Sequence, residues 1–551
     1  MDISKLLRHY VYIDQPQASM STNLDIVSTL LLGVVAFSAA KILHILLVGK
    51  KRSHPLPPGP KPWPVMGNIA DLPPSGVREW EFWLQHKDRY GPLSSVTVNG
   101  TTIVLLHSLE LAVELFDKRS AIYSSRPRMP FVNELCGWSS GLASQIYGDR
   151  LRSLRKPLHA TIGTKRSAVR FNALQEVEVH RFLFRLLEQP AKLLEHIRTE
   201  AGAIILKLTY GYTIEPHKQD PLVHLADEAL EQFSAAAVPG TWLVDSIPAL
   251  RYLPDWVPGA GFQTTARHWK ATLMELVDRP MGFVRKKMAE NDYEPSYVSG
   301  IYDKSGVELS QEQEQDLKWS AGSLYAGGAD TTVSAIATFF RSMSLYPGVQ
   351  RNAQEEIDRV IGTDRLPDFS DRDSLPYVEA VFKESLRIHP IAPMGLPHVT
   401  TADDVCEGYL IPKDAMVIPN IWWFSHDPAV YPNPDVFDPA RFLGPDPALD
   451  PSDYVFGFGR RICPGKLLAD SSVWLTIARS LAVFDIKKGV DGTGKEIEPE
   501  VSSMPGVISH PVPFTAIVTP RSSKHEDLIR QVEKVHPWEP SNADELEAIE
   551  V

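Results

Sequence analysis

Apolar residues recur with helical spacing over most of the chain. Runs from Asn172 to Tyr210, Leu225 to Ala236 and Ala266 to Ala289 repeat every three or four positions, which predicts amphipathic helices. Ser310 to Tyr346 reads as one long helix opened by Ser310, Glu312 and Glu314, and Leu467 to Phe484 as a largely apolar one. Val77 to Tyr90 is helix-like. Ser94 to Val98 and Thr101 to Leu106 are β-rich runs separated by Asn99-Gly100, a hairpin signal because both turn positions tolerate positive φ. Asp404 to Met416 carries short strand candidates around Gly408 and a Pro412-Lys413-Asp414 turn. The predicted class is mainly α (α+β), with a small β region.

One long apolar run near the N-terminus stands apart from these. Leu24 to Val48 supplies the roughly 20 residues that cross a bilayer, interrupted by Lys41 and His44. Lys50, Lys51 and Arg52 follow it, which favours a cytosolic position for the rest of the chain. A cleaved signal peptide would instead have a short apolar core with basic residues before it. The expectation is a lumenal leader at 1–23, a transmembrane anchor at 24–48 and a basic, proline-rich linker at 49–64. In that linker Pro55 to Pro64 is stiff and extended, since proline fixes φ and removes donors. The catalytic domain is expected at 65–518 and a charged surface tail at 519–551.

Composition narrows the class. With 551 residues, 43% of them hydrophobic, the chain can bury a large core. Cys136, Cys406 and Cys463 are the only cysteines, so there is no disulfide framework. A net charge of −12 gives no electrostatic footprint for nucleic acid.

The chemistry concentrates at Phe456-Gly457-Phe458-Gly459-Arg460-Arg461-Ile462-Cys463-Pro464-Gly465. A cysteine lies in a glycine turn beside two arginines and before a helix, where a low thiol pKa and axial metal ligation are expected. The spacing of Phe456, Gly459, Arg461, Cys463 and Gly465 resembles the heme-binding loop of the cytochrome P-450 superfamily. The resemblance implies heme b with Cys463 as proximal iron ligand, Phe456 on the thiolate side of the porphyrin and Arg461 on a propionate. Gly459 and Gly465 are expected to let backbone N–H groups approach the sulfur.

Further segments extend the resemblance across about Pro55 to Val518. Arg155 matches the family's propionate-binding helix, but Leu151 stands where tryptophan is usual, which removes an indole donor. His398 resembles a further propionate position. Ala326-Gly327-Gly328-Ala329-Asp330-Thr331-Thr332 resembles the oxygen-side motif, with Asp330 and Thr331 in proton delivery. Glu384 and Arg387, three apart on one helical face, match the family's Glu-x-x-Arg pair, and Arg441 completes a structural network that braces the cysteine loop.

The same resemblance places the substrate pocket at Phe131, Leu135, Tyr325, Ala326, Ala392, Met394 and Val507, although Phe131 and Leu135 read equally well as pegs that fasten their loop. It implies a mono-oxygenation that inserts one atom of O2 into an apolar organic substrate, in fungal secondary metabolism or xenobiotic oxidation. A separate membrane-bound NADPH reductase, with cytochrome b5 as a further donor, would supply electrons at the endoplasmic reticulum membrane, the single-pass protein facing the cytosol. The alternatives are a reductase-independent heme-thiolate isomerase or dehydratase, and a non-enzymatic membrane heme-binding protein.

Overall fold

The computed structural model describes residues 53–549 apart from Val65, Ser75 and Pro239. The leader, the predicted anchor Leu24–Val48 and the basic cluster Lys50 to Arg52 lie outside the described residues. Among the described residues, no helix is long and apolar enough to cross a membrane.

The longer helices are α1 (Glu79–Tyr90), α2 (Asp149–Ile162), α3 (Asn172–Glu188), α4 (Leu193–Tyr210), α5 (Pro221–Ala236), α6 (Gly261–Ala289), α7 (Gln311–Ala329), α8 (Thr331–Leu345), α9 (Pro347–Val360), α10 (Pro376–Ile388) and α11 (Lys466–Val483). The strands are β1 (Leu93–Val98), β2 (Thr101–Leu106), β3 (His398–Val399), β4 (Asp404–Cys406), β5 (Tyr409–Ile411), β6 (Met416–Pro419), β7 (Phe484–Lys488) and β8 (Ala516–Pro520). A four-stranded sheet runs β1-β2-β6-β3, with β2 and β6 parallel, and two antiparallel pairs join β4 to β5 and β7 to β8. Asn99 and Gly100 adopt positive φ, as the β1–β2 turn requires. The mainly helical α+β class is therefore the one observed.

The proline-rich segment is not a free spacer. Ser95 donates its N–H to Pro58 O at 2.8 Å and its hydroxyl to Pro57 O at 2.7 Å, while Leu410 N donates to Pro55 O at 2.7 Å. Residues 55–58 thus lie along β1 and β5 and use their carbonyls, the only backbone hydrogen-bonding group proline has.

Two expectations need correction. The predicted helix Ser310–Tyr346 is broken at Asp330, where φ −117° and ψ −38° separate α7 from α8. Thr331 donates its hydroxyl to Gly327 O at 2.8 Å, and such side-chain bonding to the i−4 carbonyl bends helices. The C-terminal segment, expected as a charged surface tail, folds back onto the helices. Ile529, Val532 and Leu546 are buried, and Asn542 N donates to Thr213 O at 2.9 Å. Its charges mask the apolar residues that anchor it.

Three of the apolar clusters frame the interior. One joins α2, α4, α5, α6 and α7, and takes in Leu468 just beyond Cys463. A second packs α3, α8, α10 and α11 around Trp474. The third gathers Phe116, Tyr123, Tyr454 and Phe458 beside the cysteine loop.

Candidate active site

The turn before α11 is closed by Cys463 N donating to Phe456 O at 2.8 Å. Gly459 has φ +49°, and a Cβ there would stand 2.2 Å from Phe116 O, so the glycine permits a close approach to a neighbouring backbone. The N–H groups of Gly465 and Lys466 favour the thiolate form of the sulfur. Lys466 lies 5.5 Å above the Phe456 ring.

Burial pushes the Cys463 thiol pKa up, outweighing the Gly465 and Lys466 N–H groups and the charges of Arg155 and Lys466 that favour the thiolate. A metal that replaces the proton makes deprotonation part of binding.

Three guanidinium groups converge above this loop. Arg461 donates Nε to Ser124 O at 2.6 Å and Nη2 to Gln145 O; Arg155 donates Nη2 to Ile462 O at 2.7 Å. Arg126 donates to Ala143 O, Leu396 O and Pro397 O at 3.1, 2.7 and 2.8 Å. Burial drives the Arg126 pKa well down, with Arg461 and Arg155 adding repulsion, and holds Arg461 at about 10. Among the described residues, their partners are carbonyl oxygens, which carry no full charge. Arg126 and Arg461 are buried and Arg155 is half-buried, and buried cations without a carboxylate are costly unless an anion joins them. The two propionates of a heme are such anions, and the donor set of one thiolate and three arginines fits that group.

Arg126 was not singled out by the sequence: it sits in Ser-Ser-Arg-Pro-Arg, where nothing local separates it from Arg128. His398 donates Nδ1 to Tyr123 O at 2.6 Å and packs its ring against Phe116, centroids 4.2 Å apart. Burial, reinforced by Arg126, holds its pKa well below the usual histidine range, so it is a neutral member of the cluster. Leu151 is buried among apolar neighbours, with Arg155 one turn further along α2.

The helix α7 turns one edge toward open space. A Cβ at Gly327 would meet nothing within 4 Å, and this residue is exposed although Ala326 and Ala329 are buried. Gly328 faces the other way, its Cβ position 2.8 Å from Ile205. Ser323, four residues before Gly327, accepts from Leu142 N at 2.9 Å, and Leu142 O receives Arg461 Nη1 at 3.5 Å, which ties this helix to the arginine cluster. Asp330 and Thr331 follow at the break, and His510 Nε2 stands 2.9 Å from Asp330 Oδ1.

The expected pocket residues are only partly brought together. Phe131, Leu135, Ala326 and Val507 share one apolar cluster. Phe131 stacks on Trp242 with centroids 3.6 Å apart, the geometry of a loop fastener. Tyr325 is turned into the core, its hydroxyl bound to Leu222 O, so it does not line the space at Gly327. Met394 packs with Trp80, Trp83 and Ile418 near the sheet, away from that cluster, and Ala392 is half-buried in the turn after α10. His510 was missed because its partner lies on another element.

The structural network is assembled. Arg387 grips Glu384 at 2.7 and 2.8 Å, and Arg441 Nε reaches Glu384 Oε1 at 3.2 Å.

The sequence profile described as Cytochrome P450 matches residues 57–517. The chain is 48% identical over 513 residues to the cytochrome P450 monooxygenase claR of Ampulloclitocybe clavipes, covering 92% of this chain and 95% of that protein. It is 46% identical to the cytochrome P450 monooxygenase CLM2 of Gibberella zeae, with 93% and 98% covered, and 42% identical to the O-methylsterigmatocystin oxidoreductase of Aspergillus flavus, with 92% and 95% covered. The chain belongs to the cytochrome P450 family, the heme-thiolate monooxygenases. Its cofactor is heme b.

Proposed function

We propose that this protein inserts one atom of O2 into an apolar organic substrate of fungal secondary metabolism, with Cys463 as the residue that would hold the heme iron. The observation that carries the reading is the arrangement of Arg126, Arg155 and Arg461, cations without a carboxylate partner among the described residues, beside the loop that presents the Cys463 sulfur. Bound there, heme supplies a redox-active iron at which O2 is reduced and an oxygen atom is transferred.

The chain's own residues do the rest. Arg126, Arg155 and Arg461 hold the carboxylates, and the Gly465 N–H tunes the sulfur. Asp330 and Thr331, at the break between α7 and α8, hold and move protons on the side where Gly327 leaves room. Glu384, Arg387 and Arg441 hold the cysteine loop in place rather than carry chemistry. Leu135, Ala326 and Val507 supply an apolar wall that favours an apolar substrate, with Phe131 fastening the loop behind it.

Electrons come from a membrane-bound NADPH reductase, with cytochrome b5 as a second donor, and the protein is held by its 24–48 segment at the endoplasmic reticulum membrane facing the cytosol. The length and apolarity of that segment, followed by Lys50 to Arg52, support this placement. The test is the reduced carbon monoxide spectrum together with reductase-dependent NADPH consumption and product formation over a panel of apolar substrates. A red-shifted Soret band that disappears in Cys463→His, with turnover that needs the reductase, supports the reading; heme binding with no turnover of any substrate overturns it.

A further inference from the structure

The carboxylate of Asp330 does not stand alone at the helix break. His510 Nε2 lies 2.9 Å from its Oδ1, and the two side chains retain 24% and 14% of their exposure, so the histidine is the more open of the two. His510 belongs to a turn closed by the Ser503–Pro511 bridge and by Met504 N donating to His510 O at 2.8 Å.

That turn is pinned to the oxygen-side helices. Ser509 O receives Ser334 Oγ of α8 at 2.7 Å and His389 Nε2 at 3.0 Å, while Ser509 N donates to Ile391 O at 2.8 Å. Since His389 Nε2 must donate to a carbonyl, its Nδ1 accepts the Ser503 hydroxyl at 2.8 Å. Arg341 Nη1 adds a bond to Ser502 O at 2.7 Å. The imidazole of His510 is therefore held against Asp330 by a hydrogen-bonded frame, not by a mobile loop.

The charged groups around the pair come from four elements. Asp227 on α5 has its pKa pushed up to about 6, first by burial and then by the charge of Asp330, against the opposing charges of Arg198, His224 and His510. Arg198 on α4 lies 3.3 Å from Asp227, and His224 is exposed one turn earlier on α5. His389 and Arg341 stand behind the turn, His389 lowered to about 3 by burial. Asp227 is thus near enough to Asp330, His224 and His510 for their charges to act on it.

We propose that His510 is the proton donor that reloads Asp330, an inference that rests on the reading of Asp330 as the acid on the oxygen side. The imidazolium gives its Nε2 proton to Oδ1, leaving a neutral imidazole and a carboxylic acid, and the imidazole regains a proton from hydronium or a buffer acid of the solvent, which is left as water or the buffer base.

His510→Gln keeps an N–H donor of similar reach but cannot ionise; His510→Phe keeps the ring volume and removes the donor. Heme content and the reduced carbon monoxide spectrum are expected to match the parent protein in both. Product formed per NADPH is expected to fall severalfold in both, with more hydrogen peroxide released and a larger solvent isotope effect. A readout independent of turnover is thermal unfolding of the ferric protein, in which the loss caused by His510→Phe should shrink when Asp330→Asn is already present.

Full coupling in His510→Gln with loss in His510→Phe would make the histidine a positioning residue and overturn the donor role. Additive melting losses would overturn the pairing. Unchanged coupling in both His510 variants while Asp330→Asn is impaired overturns this inference alone, whereas unchanged coupling in Asp330→Asn overturns the reading beneath it.

Discussion

Arg387 grips both carboxylate oxygens of Glu384, Nε at 2.7 Å and Nη2 at 2.8 Å, with both side chains fully excluded from solvent. Asp438 N donates to Glu384 Oε1 at 2.8 Å and Arg387 Nη1 donates to Ser425 O at 2.8 Å, so the pair bolts α10 to the segment leading into the cysteine loop. Breaking such a pair leaves an uncompensated buried charge. Arg387→Ala is expected to lose about 3–5 kcal/mol of stability, read by chemical denaturation, together with most of the bound heme.

The arginine cluster predicts a milder phenotype. Arg126→Ala removes one of the cations that would meet a propionate, and three bonds to carbonyls. Heme is expected to dissociate several times faster to an acceptor protein, with Arg126→Lys intermediate because it keeps the charge but not the fork.

Neighbouring glycines on α7 should behave differently. Gly328→Ala places a methyl 2.8 Å from the Ile205 side chain, which must shift, at a cost of about 1–3 kcal/mol. Gly327→Ala meets open space and should fold with unchanged or slightly raised stability, since alanine favours a helix by up to about 1 kcal/mol. Melting of the two variants side by side checks the orientation of the helix.

Proton delivery is tested at Thr331 and Asp330. Thr331→Ala and Asp330→Asn are expected to keep heme content and the reduced carbon monoxide spectrum, while product per NADPH falls severalfold and peroxide rises. If both residues only support the helix, stability and heme content fall instead and the product-to-peroxide ratio stays fixed.

Glu200, buried on α4, makes a prediction about pH. Thr476 donates to its Oε1 at 2.5 Å and its Oε2 has no partner among the described residues. Burial pushes its pKa up to about 8 from 4.5. Because the folded value is raised, its contribution to stability is fully present below 4.5 and is lost as pH rises through about 8. Glu200→Gln should therefore gain in melting temperature relative to the parent as pH rises across that window.

The local features are legible from residue order alone. The spacing around Cys463, the Glu384–Arg387 pair, the Asn99-Gly100 turn and the periodicity of the helices are written within a few residues, because a turn, a helical face and a capping box each depend on near neighbours. Ser310 begins α7 as its capping signal predicts, accepting from Gln313 N.

The remaining features depend on how the helices pack. Whether Tyr325 or Gly327 faces the open space depends on which side of α7 meets α4 and α5, and an all-round apolar helix centre does not encode that phase. The break at Asp330, the selection of Arg126, the anchoring of residues 523–549 and the meeting of His510 with Asp330 all rest on partners far apart in the chain. Their energies come from burial and from charges brought together by packing, and those arise when the helices assemble.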